Sequence, residues 1–182
     1  MASNNDSNLT FSIATVERAA EIRDLIQAAF RADDSRANWT ADPEMNRRFT
    51  ISLEEVTSKI NMSNAVYIIA ASSDGAGPIV ACIGVAELKP KVGRLSYLAV
   101  HPDKHRLGLG KQILRYAEEY CRSKLGANKL SLNALSTREQ LLSWYQRNGF
   151  QKTGELVPFP VKEIDGLVLP EGLSFVEMEK DI

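Results

Sequence analysis

The chain has 182 residues, of which 44% are hydrophobic and 25% are charged, a composition that can bury the core of one domain. Its formal net charge of −1 argues against bulk attraction to nucleic acid or to a membrane surface, so any anion site must be local. No apolar run approaches the length of a membrane span. Residues 1–10 are polar and are expected to form a flexible tail, and residues 11–182 are expected to form a single domain.

The first half of the chain predicts a strand, two helices and then three strands. Apolar residues recur at helical spacing from Ile22 to Phe30, whereas 31–50 has no clear period and predicts a loop or a broken helix. Ser52 and Glu55 form a capping-box pattern, which predicts the start of the second helix. The predicted elements cover 11–15, 22–30, 52–62, 65–72, 79–88 and 94–100.

The second half alternates helices and strands. A long helix begins near Leu109 and is closed by Gly126, and a shorter one begins at the capping-box pattern of Ser136. Strands are predicted at 129–135, 151–157 and 173–179. Cys82 and Cys121 lie inside predicted elements, and we expect buried, reduced thiols and hence a cytoplasmic or nuclear protein.

One loop has the properties of a phosphate site. The predicted strand 94–100 runs into HPDKHRLGLG, which opens directly into the long helix. The first N–H groups of a helix lack internal partners and carry the positive end of its dipole, and Gly108 and Gly110 let the backbone approach an anion closely. Positive side chains surround the loop: Lys104, His105, Arg106 and Lys111.

Three kinds of phosphate-binding loop contain glycines in a comparable position, and the neighbouring residues distinguish between them. A P-loop requires Ser or Thr after Gly-Lys, and Gln112 stands there instead. A dinucleotide fingerprint requires a third glycine, and that position is Ile113. The third pattern is V-x-P followed by Q/R-x-x-G-x-G/A, the acetyl-CoA loop of the GNAT N-acetyltransferases. The chain resembles it at Val100, Pro102, Gly108 and Gly110.

A second motif strengthens this resemblance. The helix predicted from Ser136 carries Tyr145 and ends at Gly149-Phe150, as in the second GNAT signature, with the glycine at a left-handed C-terminal position. The resemblance covers roughly residues 10–182. A GNAT subgroup shares a longer pattern, R-E-x-L-x-x-W-Y-x-R-x-G-F…T-G-E-x-x-P-F-P, which this chain matches between Arg138 and Pro160.

The resemblance implies an α/β (α+β) fold, with a mixed central sheet that is flanked by helices and splays open where acetyl-CoA binds. The strand next to the splay maps to Leu98, Ala99 and Val100, which would pair with pantetheine. The pyrophosphate would lie on N–H groups of the loop: Arg106, Leu107, Gly108, Leu109, Gly110 and Lys111. His105 replaces the family's glutamine or arginine, so its own contact with the cofactor stays open against a simple exposed loop position. No metal is implied.

The implied reaction moves an acetyl group from acetyl-CoA to a primary amine by direct attack in a ternary complex. Tyr145 is the predicted general acid, since a phenol is protonated at neutral pH; the alternative is a core tyrosine. Family base positions map to Arg94 and Asn133, neither of which is a base. Glu87 is therefore the predicted base, against the alternative of a solvated strand end, and Asn133 is predicted to orient the amine or a water.

The acceptor is predicted to contact segment 31–50 and the loop 158–172. Trp39 and Phe159 favour an apolar or aromatic acceptor, Arg47 with Arg48 favours a carboxylate, and Asp33-Asp34 favours a cation. The acceptor class therefore remains open between a small-molecule and a peptide amine, without nucleic acid or membrane as partner. A homodimer is compatible with the family. The alternative function is a non-catalytic acyl-CoA-binding sensor or scaffold.

Overall fold

The computed structural model describes residues 9–34, 36, 38–40, 42–72, 75–161, 163–164 and 166–182. Residues 1–8 of the predicted flexible tail lie outside the described residues. Within the described part, no helix combines the length and the apolar character needed to cross a membrane.

Seven strands form one mixed sheet, in the order β1-β2-β3-β4-β5-β9-β6. Their bounds are β1 Thr10–Ile13, β2 Ala65–Ala71, β3 Ile79–Lys89, β4 Val92–Val100, β5 Lys129–Leu135, β6 Gln151–Pro158 and β9 Ser174–Asp181. Strands β4 and β5 pair in parallel, and the other neighbouring strands of this sheet are antiparallel. A separate hairpin consists of β7 (Glu163–Ile164) and β8 (Leu167–Val168), which the sequence did not predict.

Helices cover both faces of this sheet. They are α1 Ala19–Arg31, α2 Pro43–Arg47, α3 Leu53–Asn61, α4 Leu109–Lys124 and α5 Glu139–Arg147. One buried cluster joins the sheet to α4 and α5, and a second joins it to α1 and α3. The predicted mixed, helix-flanked α/β fold is confirmed, and segment 31–50 contains one short helix, α2, among its described residues.

The sheet opens between β4 and β5. Their parallel pairing begins at Val92 and stops at Arg94, which lies opposite Ser131, so 95–100 has no partner on β5. Strand β3 remains paired with β4 up to Val100. A short parallel contact at one end and a gap at the other give the predicted splay.

A β-bulge distorts β4 beside this gap. Cys82 pairs with Ala99 and Gly84 pairs with Ser96, so two β4 residues face one residue of β3. Tyr97 has a φ of +49°, a left-handed conformation that is strained for a bulky side chain. The bulge therefore redirects the strand where the sheet opens.

Helix ends follow the predicted signals at three of four positions. Ser52 Oγ accepts a hydrogen bond from the N–H of Glu55 at 3.0 Å, as the capping pattern predicts. Gly126 and Gly149 have φ of +59° and +95° after α4 and α5. The prediction for Ser136 is wrong: α5 begins only at Glu139, because the Ser136 hydroxyl accepts a bond from the N–H of Ser174 on β9 at 3.4 Å.

Both cysteines are buried and unpaired, as predicted. Burial raises the pKa of each thiol to about 12, so both stay protonated at neutral pH. Cys82 lies on β3 and Cys121 on α4, and both pack into the core.

Candidate active site

A cavity of about 810 Å³ occupies the opening between β4 and β5. Its walls come from the unpaired end of β4, from β5, from the loop before α4, and from α1, α3 and α5. Among the described residues, no group of three or more His, Cys, Asp or Glu is arranged to hold a metal ion. The splay therefore leaves a cavity large enough for an organic ligand.

One end of the cavity is the loop before α4. Gly108 has a φ of +80° and precedes the first residue of the helix, with no side chain capping it. The N–H groups of Lys111 and Gln112 return to the Gly108 carbonyl, whereas those of Leu109 and Gly110 have no backbone acceptor among the described residues. These two N–H groups form an anion cradle at the positive end of the helix.

Gly110 sets the width of this cradle. A Cβ at this position would lie 3.7 Å from the Trp144 ring and 3.8 Å from a Val100 methyl, which is ordinary van der Waals contact. A side chain here would therefore fit the protein but would fill the space beside the cradle. The cradle therefore offers two backbone donors and room for an anion beside them.

The structure brings most of the predicted cofactor residues together. Eight of them line the cavity: Leu98, Ala99, Val100, His105, Arg106, Gly108, Leu109 and Gly110. Leu107 and Lys111 belong to the same loop but are exposed and do not line the cavity.

His105 has a defined position rather than a loose one. Its Nε2 donates to the Val100 carbonyl at 3.0 Å, and its Nδ1 lies 3.9 Å from Asp34 Oδ2. Hydrogen bonds from Arg36 hold the pKa of Asp34 at about 2 against the opposing effect of burial. The loop before α4 is thereby joined to the segment after α1.

Tyr145 lines the cavity from α5 and is 7% exposed. Its ring packs edge-on against Trp144 and Phe150, with centroid distances of 5.1 and 5.8 Å. No described residue hydrogen-bonds to its hydroxyl, and this oxygen is not among the fully buried, unsatisfied polar atoms. Burial raises the pKa of Tyr145 to about 12 and nearby Arg138 opposes the rise, so the phenol is protonated at neutral pH.

A carboxylate reaches the cavity from α3. Glu55 is the only acidic residue among the described residues that line it. The Tyr97 hydroxyl donates to Glu55 Oε1 at 2.5 Å, and Lys59 donates to Ser96 Oγ at 2.6 Å one turn further along α3. Burial lowers the pKa of Lys59, and attraction to Glu55 opposes that effect. The β4 bulge thus presents Tyr97 to this carboxylate.

A second carboxylate lies where β4 and β5 part. Glu177 on β9 accepts two bonds from Arg94, at 2.5 and 3.1 Å, and one from the Asn133 amide at 2.6 Å. Burial would raise the pKa of Glu177, but these donors outweigh it and lower the pKa. Asn133 lines the cavity with its amide already engaged, so it orients this ion pair.

The sequence profile of the acetyltransferase (GNAT) family matches residues 20–150. This match spans well over half of the chain and contains both the anion cradle and Tyr145. The chain belongs to the GNAT acetyltransferase family. GNAT proteins use acetyl-CoA, which fits a cradle of free backbone donors. No curated protein matches the sequence significantly.

Solved GNAT structures share this fold at low sequence identity. The ribosomal-protein-S18-alanine N-acetyltransferase from Escherichia coli superimposes with a TM-score of 0.71 at 17% identity, covering 96% of this chain and 94% of that one. PaiA N-acetyltransferase from Thermoplasma acidophilum, in complex with coenzyme A, gives 0.70 at 17% identity, with coverages of 96% and 99%. A chimera of spermidine N-acetyltransferase from Vibrio cholerae and hSSAT gives 0.67 at 13% identity, with 96% of each chain covered.

Two residues predicted for the GNAT site lie elsewhere. Glu87 is exposed near the end of β3 and does not line the cavity, so the prediction that it takes the proton loses its geometric basis. Arg47 is 60% exposed, pairs with Glu44 at 2.6 Å and is also outside the lining. Trp39 and Phe159 do line the cavity, as predicted for acceptor contacts.

Sequence patterns alone do not single out Glu55, Arg138 or Glu177 as residues of this site. Glu55 matches a capping box, and its N–H does bond Ser52, but its side chain goes to Tyr97 instead of returning to the helix start. Arg138 is one residue of the subgroup pattern, and the pattern does not indicate that its side chain reaches the cavity. Glu177 is one polar residue in an alternating strand, and only its placement opposite Asn133 reveals its role.

Proposed function

We propose that this protein transfers the acetyl group of acetyl-CoA to a primary amine of a small molecule or peptide, by direct attack in a ternary complex. The supporting observation is that one cavity contains the anion cradle, the unpaired end of β4 and the Tyr145 hydroxyl. The subgroup pattern around Arg138 is a proposed relationship within the family.

The cofactor half of the cavity is built mainly from backbone. Leu109 and Gly110 offer free N–H groups for the diphosphate, and Leu98–Val100 offers a strand edge without a partner on β5. Acetyl-CoA supplies an activated thioester whose carbonyl carbon accepts the amine. A backbone N–H of 98–100 would polarise the carbonyl oxygen.

Two proton transfers complete the reaction. The attacking nitrogen must be uncharged and must lose a proton as the amide forms, and Glu55 is the carboxylate of the described lining that can accept it, directly or through water. The departing thiolate gains a proton from the Tyr145 hydroxyl. The products are an N-acetylated amine and coenzyme A thiol, and bulk water then restores both side chains.

The test is thiol release from acetyl-CoA with a broad amine panel: amino acids, polyamines, arylamines, aminoglycosides and short peptides. Wild type is compared with Tyr145→Phe and with Tyr116→Phe, whose parent residue is 40% exposed on α4 and stacks on Phe11. We expect amine-dependent release that is lost only in Tyr145→Phe. Acetyl-CoA binding without release on any acceptor would favour the sensor or scaffold function.

A further inference from the structure

Three cations that line the cavity, Arg36, Arg94 and Lys59, each have a carboxylate nearby. Arg36 pairs with Asp34, Arg94 pairs with Glu177, and Lys59 lies close enough to Glu55 for mutual attraction. Arg138 lines the same cavity, but no described carboxylate lies within 4 Å of its guanidinium.

Arg138 is held in place by a backbone carbonyl, and Asp34 attracts it only from beyond ion-pair distance. Its Nε donates to the Trp39 carbonyl at 2.9 Å, and this bond fixes the plane of the guanidinium. Its terminal nitrogens hydrogen-bond to no described residue, yet they are not among the fully buried, unsatisfied atoms, so they face the cavity. Burial lowers the pKa of Arg138, but a guanidinium remains charged at neutral pH. A buried cation with free donors is costly unless a ligand supplies the counter-charge.

Arg138 lies beside Phe30, on the wall that α1 contributes to the cavity. Its guanidinium carbon lies 5.8 Å from the centre of the Phe30 ring on α1. Phe30 also faces Tyr97, at 6.3 Å between centroids, and Tyr97 binds Glu55. Phe30 and Tyr97 thus connect Arg138 to Glu55, and all four residues line the same cavity.

We propose that the acceptor is an amino acid-like molecule, with a carboxylate that Arg138 binds and an amine that faces Glu55. This inference rests on the proposed transferase function and names its substrate class. Two parallel N–H donors of a guanidinium match the two oxygens of a carboxylate, which gives direction as well as affinity. Trp39 and Phe159 line the same region and favour an apolar side chain. Arg138 takes the place that the sequence assigned to Arg47.

The experiment uses the common amino acids, each as the free acid and as the neutral C-terminal amide, with acetyl-CoA at saturation. The readout is the ratio of kcat/KM for acid over amide, measured in wild type, Arg138→Gln and Arg138→Lys. Arg147→Gln is the matched control, because Arg147 is an exposed cation at the far end of α5, the helix that Arg138 precedes. The amide also changes the acidity of the amine, so the comparison between variants, not the absolute ratio, carries the result.

We expect Arg138→Gln to lower the acid-to-amide ratio by about tenfold or more, chiefly through KM for the acid. Arg138→Lys should retain part of the preference, and Arg147→Gln all of it. Partial misfolding of a variant scales both of its rates by the same factor, so the ratio still reports recognition by the molecules that are folded. An acid-to-amide ratio that is equal in wild type and Arg138→Gln, or a preference for amines without a carboxylate, would overturn the inference.

A binding measurement separates this inference from the proposed function. Calorimetric titration of the same acids into protein with coenzyme A needs no turnover. If no amine releases thiol, the transferase proposal fails, while acid binding that Arg138→Gln weakens by about tenfold would still support the carboxylate site. Equal acid binding in wild type and Arg138→Gln would overturn the site whatever the turnover result.

Discussion

The two ends of the cavity are built in different ways. At the proposed cofactor end, the groups expected to meet the ligand are backbone N–H donors from two continuous stretches, Leu98–Val100 and 106–110. At the acceptor end, they are side chains from α1, α3, α5 and two loops, brought together only by the fold. Backbone donors keep the same chemistry whatever side chains the residues carry. At the acceptor end, each substitution changes the groups that meet the acceptor. One fold can therefore keep its cofactor and still take different acceptors.

The largest effect is expected at the Tyr145 hydroxyl, which the reaction needs after the cofactor and the acceptor have met. Tyr145→Phe should lower kcat by about 100-fold or more, because it removes the proton donor for the thiolate and little else. Acetyl-CoA affinity, measured by titration, should stay unchanged. If Tyr145→Phe keeps wild-type turnover, Tyr145 is not the general acid, and its role is that of a core tyrosine.

At the acceptor end, Glu55→Gln should lower kcat/KM for the amine by about tenfold, since bulk water then has to accept the proton. The deficit should shrink as the assay pH rises and more of the free amine is already uncharged. Acetyl-CoA affinity should not change. Glu54→Gln is the control, because Glu54 is its exposed neighbour on α3. A Glu55→Gln deficit that is constant across pH would contradict the assignment.

At the cofactor end, Gly110→Ala should raise the Kd for acetyl-CoA by about tenfold while thermal stability is kept. The added methyl makes only ordinary contacts at 3.7 and 3.8 Å in the protein but occupies the space beside the cradle. Gly126→Ala is the contrasting control. Its φ of +59° in open space predicts a loss of about 1 kcal/mol of stability with unchanged acetyl-CoA affinity. Equal acetyl-CoA affinities in wild type and Gly110→Ala would show that the ligand does not bind beside Gly110.

The smallest effect is expected at Asp34, which lies beside Arg36 and His105 and links the segment after α1 to the loop before α4. Hydrogen bonds from Arg36 lower the pKa of Asp34 from 3.8 to about 2, so the folded state favours the charged form. This stability is present above about pH 4 and is lost as the pH falls toward about 2. Asp34→Asn should therefore cost on the order of 1–2 kcal/mol at about pH 7, and the cost should vanish between about pH 4 and 2.

Denaturant titrations at several pH values measure this difference in unfolding free energy. Asp103→Asn is the control, since the Asp103 side chain is 87% exposed. An Asp34→Asn cost that persists unchanged at the acid end of this range would show that the pair with Arg36 does not hold the segment.

This contrast between the two ends of the cavity also explains which parts of the site the sequence could predict. The cofactor end consists of neighbours in sequence, so the glycine spacing between a strand and a helix start is enough to identify it, as is Tyr145 followed by Gly149-Phe150. The acceptor end depends on contacts across long separations: Glu55 meets Tyr97 42 residues away, and Arg138 meets Trp39 99 residues away. Local patterns assign these residues to capping and surface roles, which is why they favour Glu87 and Arg47 instead.

The central claim is that acetyl-CoA binds on the backbone of the splayed strand and the α4 loop. Amide hydrogen exchange with and without acetyl-CoA tests this directly, because it reports individual backbone N–H groups. We predict slower exchange at 98–100 and 106–110 when acetyl-CoA is present, with little change at 159–175. Unchanged exchange at both cofactor stretches, or protection confined to the acceptor loops, would contradict this claim.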